Sequence, residues 1–139
     1  MNLDAIASDL DIPVFYRDLP RDIVGKIARD RQSPSQFSIT INSAHHFNRQ
    51  RFTLAHEIAH FIMHRDLIEN GVTDSVMYRS SMSDMFEKQA NKKAADILMP
   101  APLVRREWAS GIEPETIARR FEVSESAMKI SLRSLDLID

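Results

Sequence analysis

Apolar positions in this chain recur with two different periods, and the change of period divides it into elements. Leu3, Ile6, Ala7 and Leu10 are spaced at helical intervals and predict a short helix over 2–9. Val14-Phe15-Tyr16, after Pro13, reads as a strand, residues 18–22 (DLPRD) as a turn, and Ile23 to Ala28 as a second short strand. Phe37-Ser38-Ile39-Thr40-Ile41-Asn42 alternates apolar and polar positions with β-branched residues and is the clearest strand of all. Residues 30–36 (DRQSPSQ) have the composition of a hairpin loop. A small, mostly antiparallel sheet is therefore expected ahead of the first long helix.

From Arg51 to His64 the chain has no Gly or Pro, and Phe52, Leu54, Ala55, Ile58, Ala59, Phe61, Ile62 and Met63 make it strongly apolar, as in a helix buried in a core. Glu69-Asn70-Gly71 ends its extension, and the polar, Ser-rich stretch 72–82 reads as a loop. Met77, Met82 and Met85 there are expected to fill gaps in the core. Ser83 to Met99 resumes as a helix with a stripe of Phe86, Ala90, Ala94, Ile97 and Leu98, stopped by Pro100 and Pro102. Helical patterns then cover Leu103–Trp108 and Glu115–Leu137, broken at Gly111. The expected fold class is α+β: residues 1–104 form the core and 105–139 a helical segment packed on it.

Composition narrows the chemistry. A chain of 139 residues, 43% hydrophobic, supports one compact domain. A net charge of −2 gives no electrostatic footprint for nucleic acid. With no cysteine there is no thiolate site, so any metal must be held by His, Asp or Glu. The N-terminus carries acids where a signal peptide needs bases, and no run approaches membrane-spanning length. A soluble, cytoplasmic protein is expected.

Within the buried helix, His56-Glu57-Ile58-Ala59-His60 reads H-E-x-x-H. Residues four apart lie one above the other, so His56 and His60 can address one metal ion. Glu57, about 100° further round, can reach a water on that ion without ligating it. Two imidazoles and a carboxylate base are what a zinc peptidase requires, with zinc as the expected single catalytic ion. Burying these groups without a metal or other partners would be costly.

A catalytic zinc usually takes a third protein ligand. One arrangement places it six residues on, after a helix-bending Gly; here those positions are Met63 and Asp66. Without the Gly the helix is expected to run straight on and turn Asp66 away. The other arrangement takes a Glu from a second helix. Asp84, Glu87 and Asp96 are available, and Glu87 is the best placed: Asn91, one turn on, can orient it, and Ala90, Ala94 and Ala95 let two helices approach. His64 lies about 12 Å along the axis from His56, too far to ligate beside both histidines. It is a candidate, with Tyr78 and Arg51, for lining the cavity or stabilising an oxyanion. His45 and His46 read as loop or capping residues.

Arg51 to His64 followed by E-x-x-A-N-x-x-A-A-D-x-L-M-P, Glu87 to Pro100, resembles the ImmA/IrrE-type zinc metallopeptidases. The segment YRDLPRDIVGKIARD and the strand ending ITIN extend the resemblance over about residues 12–104. It implies a gluzincin-like α+β domain, zinc on His56, His60 and Glu87, and Glu57 as the catalytic carboxylate. It also implies a protein partner: family members typically cleave or inactivate helix-turn-helix repressors, often encoded nearby in mobile elements, stress responses or toxin–antitoxin-like pairs. No separate N-terminal helix-turn-helix domain or C-terminal sensor domain fits in this chain, so an activating signal is expected to come from outside it or to act on the core directly.

Residues 114–138 look like a helix-turn-helix with Ser124 capping its second helix. From 113 to 139 four bases (Arg119, Arg120, Lys129, Arg133) face six acids (Glu113, Glu115, Glu122, Glu125, Asp136, Asp139), a poor composition for binding phosphate. DNA binding is not expected, and the segment reads as a helical pair that completes the core or docks a partner. The rival to peptide-bond hydrolysis is a toxin-like or regulatory protein that binds its partner through the same fold without general proteolysis.

Overall fold

The computed structural model describes residues 2–69 and 81–139. Within them the chain folds as α+β, with three strands and six helices. Helix α1 (Leu3–Asp9) starts at Asn2, whose side chain accepts the Ala5 N–H at 3.1 Å. Strands β1 (Val14–Arg17), β2 (Gly25–Arg29) and β3 (Phe37–Asn42) form one sheet in the order β1-β3-β2. Helix α2 (Phe47–Glu69) crosses it and is followed by α3 (Ser81–Leu98), α4 (Ala101–Ala109), α5 (Pro114–Phe121) and α6 (Glu125–Ser134).

The sheet is mixed rather than mostly antiparallel. β2 and β3 form the expected hairpin, with Ile27 opposite Ile39, but β1 joins the far edge of β3 in parallel, Val14 opposite Ile39. Local pattern marks each strand and says nothing of which edge the first will take. Phe37, Ile39 and Ile41 of the central strand are fully buried, as its alternation predicts.

Asn42 ends β3 and organises the entry to β2. It is fully buried; its Nδ2 donates to the carbonyls of Ile23 at 2.8 Å and Pro20 at 3.1 Å, while its Oδ1 accepts the Ala44 N–H at 2.9 Å. A buried amide satisfied on both sides fixes the 19–24 turn without strand pairing. Gly25 then lets β2 approach its neighbours closely: a Cβ there would lie 2.7 Å from the Thr40 carbonyl oxygen and 2.8 Å from Thr53 Cγ2 of α2. Near the opposite edge, the Tyr16 hydroxyl donates to Asp4 at 3.1 Å. Burial, with the Asp4 charge and this hydrogen bond, pushes its phenol up to about 12.

Helix α2 begins four residues before the expected start, because His46 Nδ1 accepts the Asn48 N–H at 3.1 Å and serves as the cap. It also does not run straight on. His64, at φ −128° and ψ 20°, leaves helical geometry and kinks α2 with no Gly present. Asp66, beyond the kink, is exposed. The alanines of α3 do what small residues allow: Ala90 and Ala94 are fully buried where α3 packs on α2.

The C-terminal helices share the same core. Leu98, Val104, Ile117, Val123, Met128 and Leu132 belong to one buried cluster with Ile39, Ile58 and Phe61. α5 ends in Glu122, whose left-handed φ of 56° makes the tight turn, and Ser124 Oγ accepts the Ala127 N–H at 3.1 Å to start α6. Among the described residues no helix is long and apolar enough to cross a membrane.

Candidate metal centre

Helix α2 buries Leu54, Ala55, Ile58, Ala59 and Phe61, yet His56, Glu57, His60 and His64 are buried with them, Glu57 and His60 at 1% exposure. Such groups are stable only with partners, and α3 supplies one to each of the three histidines. Glu87 reaches across with both oxygens: Oε2 lies 3.1 Å from His56 Nε2 and Oε1 2.8 Å from His60 Nε2. Burial pushes the Glu87 carboxyl up, but hydrogen bonds from both imidazoles and their nearby charge outweigh it and bring it down to about 2. One ligand atom from each of His56, His60 and Glu87 lies within 4.8 Å of the others, a group that could hold a metal ion.

The far sides of both imidazoles are also held. His56 Nδ1 lies 2.8 Å from Asn91 Oδ1, so Asn91, expected beside Glu87, steadies a histidine instead. His60 Nδ1 lies 2.9 Å from His64 Nδ1, and His64 Nε2 lies 2.9 Å from Gln89 Oε1. The His64 ring packs 4.7 Å from Phe86, and burial lowers its pKa although the Gln89 hydrogen bond opposes this. His64 thus lies behind a member of the metal group.

A pocket of about 390 Å³ opens onto this group, lined by Val24, Arg49, Phe52, Thr53, His56, Glu87 and Asn91. Glu57 and His60 are not among its lining residues. The arginine there is Arg49. Arg51 lines a separate pocket with Tyr16 and Leu54, and its Nε pairs with Glu122 of the C-terminal helices at 3.4 Å. Tyr78 lies outside the described residues, as does most of the expected loop 72–82. His45 Nε2 sits 2.9 Å from the Arg21 carbonyl, in a loop as expected. Of the three acids considered on the second helix, Glu87 alone joins the metal group; Asp84, Asp96 and the earlier candidate Asp66 are exposed.

Gln89 and Arg49 were not singled out by sequence reasoning. Gln89 lies 200° round α3 from Glu87 and looks like a surface position. The available signal was that Gln89 and Asn91 bracket the buried Ala90, so each shoulder of the helix carries a carboxamide.

Two helices crossing beside a small mixed sheet, with two buried histidines and a half-buried glutamate brought together between them, define an α+β protein with a candidate metal centre. Residues 7–133 match the family model described as the IrrE N-terminal-like domain, and the chain belongs to the ImmA/IrrE metallopeptidase family. It is similar to the radiation response metalloprotease IrrE of Deinococcus radiodurans, 36% identical over 103 residues. That match covers 71% of this chain and 31% of the relative, so the chain spans less than a third of the relative's length.

Proposed function

We propose that this protein is a zinc-dependent endopeptidase that cuts or inactivates a protein partner. The observation that carries the reading is the convergence of His56 Nε2, His60 Nε2 and the Glu87 carboxylate on one point, with both Nδ1 atoms held from behind. Two neutral imidazoles and one carboxylate are a donor set suited to zinc, and tetrahedral bonds of about 2.0–2.1 Å need only a small readjustment of these side chains. Bound there, zinc would acidify a water towards a pKa of ~7 and polarise a peptide carbonyl.

The protein's own part begins with Glu57. It follows His56 in the chain and is buried at 1% exposure; it would take the proton of the attacking water and return it to the leaving amine. Arg49, at the pocket wall, is placed to meet negative charge developing on the substrate carbonyl. Val24 and Thr53 bound the pocket, and Gly25, next to Val24, lets the strand pass close to Thr53.

The resemblance of the two linked motifs points to a helix-turn-helix repressor or antitoxin-like protein as the partner, and so to control of gene expression. The test is to incubate the zinc-loaded chain and its Glu57→Gln variant with repressor-type proteins encoded beside its gene. Cleavage by wild type alone, with zinc bound equally by both, is the expected result. A stable complex with both proteins and no cleavage would replace the enzyme by a partner-binding module.

A further inference from the structure

We propose that Gln89 and His64 form a positioning chain that fixes the tautomer of His60, so that its Nε2 lone pair faces the metal. The inference rests on the reading of His56, His60 and Glu87 as a metal site, and it adds two residues to that site's working parts.

The number of protons on the two rings sets the order. A neutral imidazole has one N–H and one lone pair. To ligate through Nε2, His60 must carry its proton on Nδ1, and the atom facing Nδ1 at 2.9 Å is His64 Nδ1. His64 Nδ1 must then accept, which puts the His64 proton on Nε2. That N–H needs an acceptor, and Gln89 Oε1 stands 2.9 Å away. Once His60 Nε2 gives up its hydrogen bond to Glu87 for a metal, the order Gln89 Oε1, His64 Nε2–H, His64 Nδ1, His60 Nδ1–H, His60 Nε2 is the only hydrogen-bonded one that leaves a lone pair there. If Gln89 presented its NH₂ instead, every proton in the chain would reverse and His60 Nε2 would be blocked.

The same helix treats the other histidine by a shorter route. Asn91 Oδ1 accepts directly from His56 Nδ1 at 2.8 Å. Glu87 and Asn91 occupy one shoulder of α3, Phe86 and Gln89 the other, with fully buried Ala90 between them. The kink at His64 falls where its ring meets both His60 and Gln89. A histidine that merely filled space against Phe86 would require neither partner.

Gln89 is exposed, so it can be changed without repacking the core. Gln89→Met keeps the length and removes the acceptor; Gln89→Glu keeps an acceptor. Zinc affinity of the full chain, measured by competition with a chelator, is expected to fall about tenfold in Gln89→Met and to stay near wild type in Gln89→Glu. Long-range proton–nitrogen correlation spectra of the zinc-loaded wild type are expected to show the His64 proton on Nε2 and the His60 proton on Nδ1. A His64 proton on Nδ1, an unchanged affinity in Gln89→Met, or equal losses in both variants would overturn the positioning chain alone. A wild-type chain that binds no zinc would overturn the metal reading and the chain with it.

Discussion

Two helix pairs in this molecule are built on opposite principles. Where α2 meets α3, the residues brought together are small or polar: alanines at 90 and 94 bring the backbones close, and three histidines and Glu57 are buried. Where α5 meets α6, Ile117, Ala118, Met128 and Leu132 are buried, and charged groups stay outside in pairs such as Lys129 with Glu125 at 3.0 Å. The first pair costs stability unless its polar groups are satisfied; the second gains it from apolar burial. The lesson is a division of labour: chemistry is concentrated at one crossing, and the fold is secured at another. Arg51 of α2, paired with Glu122 before α6, touches both.

The comparison is broken most severely at His60. His60→Ala removes one of the three proposed ligands and leaves His64 and Glu87 facing a gap, and zinc affinity should fall by at least 100-fold in a chelator titration. Adding zinc at 1,000 times its Kd should raise wild-type stability by about 4 kcal/mol, an increment that disappears in this variant. Met128→Ala is the mirror experiment. It should cost about 3 kcal/mol in denaturant unfolding, by loss of a fully buried side chain, while the folded fraction binds zinc as wild type does. If Met128→Ala weakened zinc binding in proportion, the two pairs would be one cooperative device and the division would fall.

Gly25→Ala tests the wall between sheet and site. Its new methyl would press on the Thr40 carbonyl and on Thr53, which lines the pocket with His56, so a loss of about 2 kcal/mol is expected. The smallest effect lies outside both pairs. Because the folded Tyr16 phenol is raised from 10.0 to about 12, folding holds its proton more tightly than the unfolded chain does. Its contribution is complete below pH 10 and is lost as pH rises through 12. Tyr16→Phe should flatten this alkaline loss, and an ultraviolet titration should show the late-ionising phenol vanish from the difference spectrum.

Helical spacing made the candidate metal-holding group readable, because His56 and His60 lie on one turn and Glu87 stands beside the alanines that admit a close neighbour. The α6 cap at Ser124 was readable for the same reason: it depends on residues three apart. Other expectations failed where a partner from elsewhere in the chain decides. Arg51 was a candidate for the cavity, but the packing of the C-terminal turn draws it to Glu122 and leaves Arg49 at the pocket. His64 was a candidate for the cavity and lies behind His60 instead, at a kink that no Gly or Pro announced. Gln89 carried no signal of its own, since its partner is 25 residues away.

By itself the sequence determined most of the elements, the candidate metal-holding residues and the family, because periodicity, caps and i,i+4 spacing are local properties of a chain. Tertiary structure decided the parallel seat of β1, the arginine that faces the pocket and the hydrogen-bond partners behind the histidines. Each of these depends on which surfaces meet across long loops, and on buried donors and acceptors being satisfied by whatever group the packing brings within 3 Å.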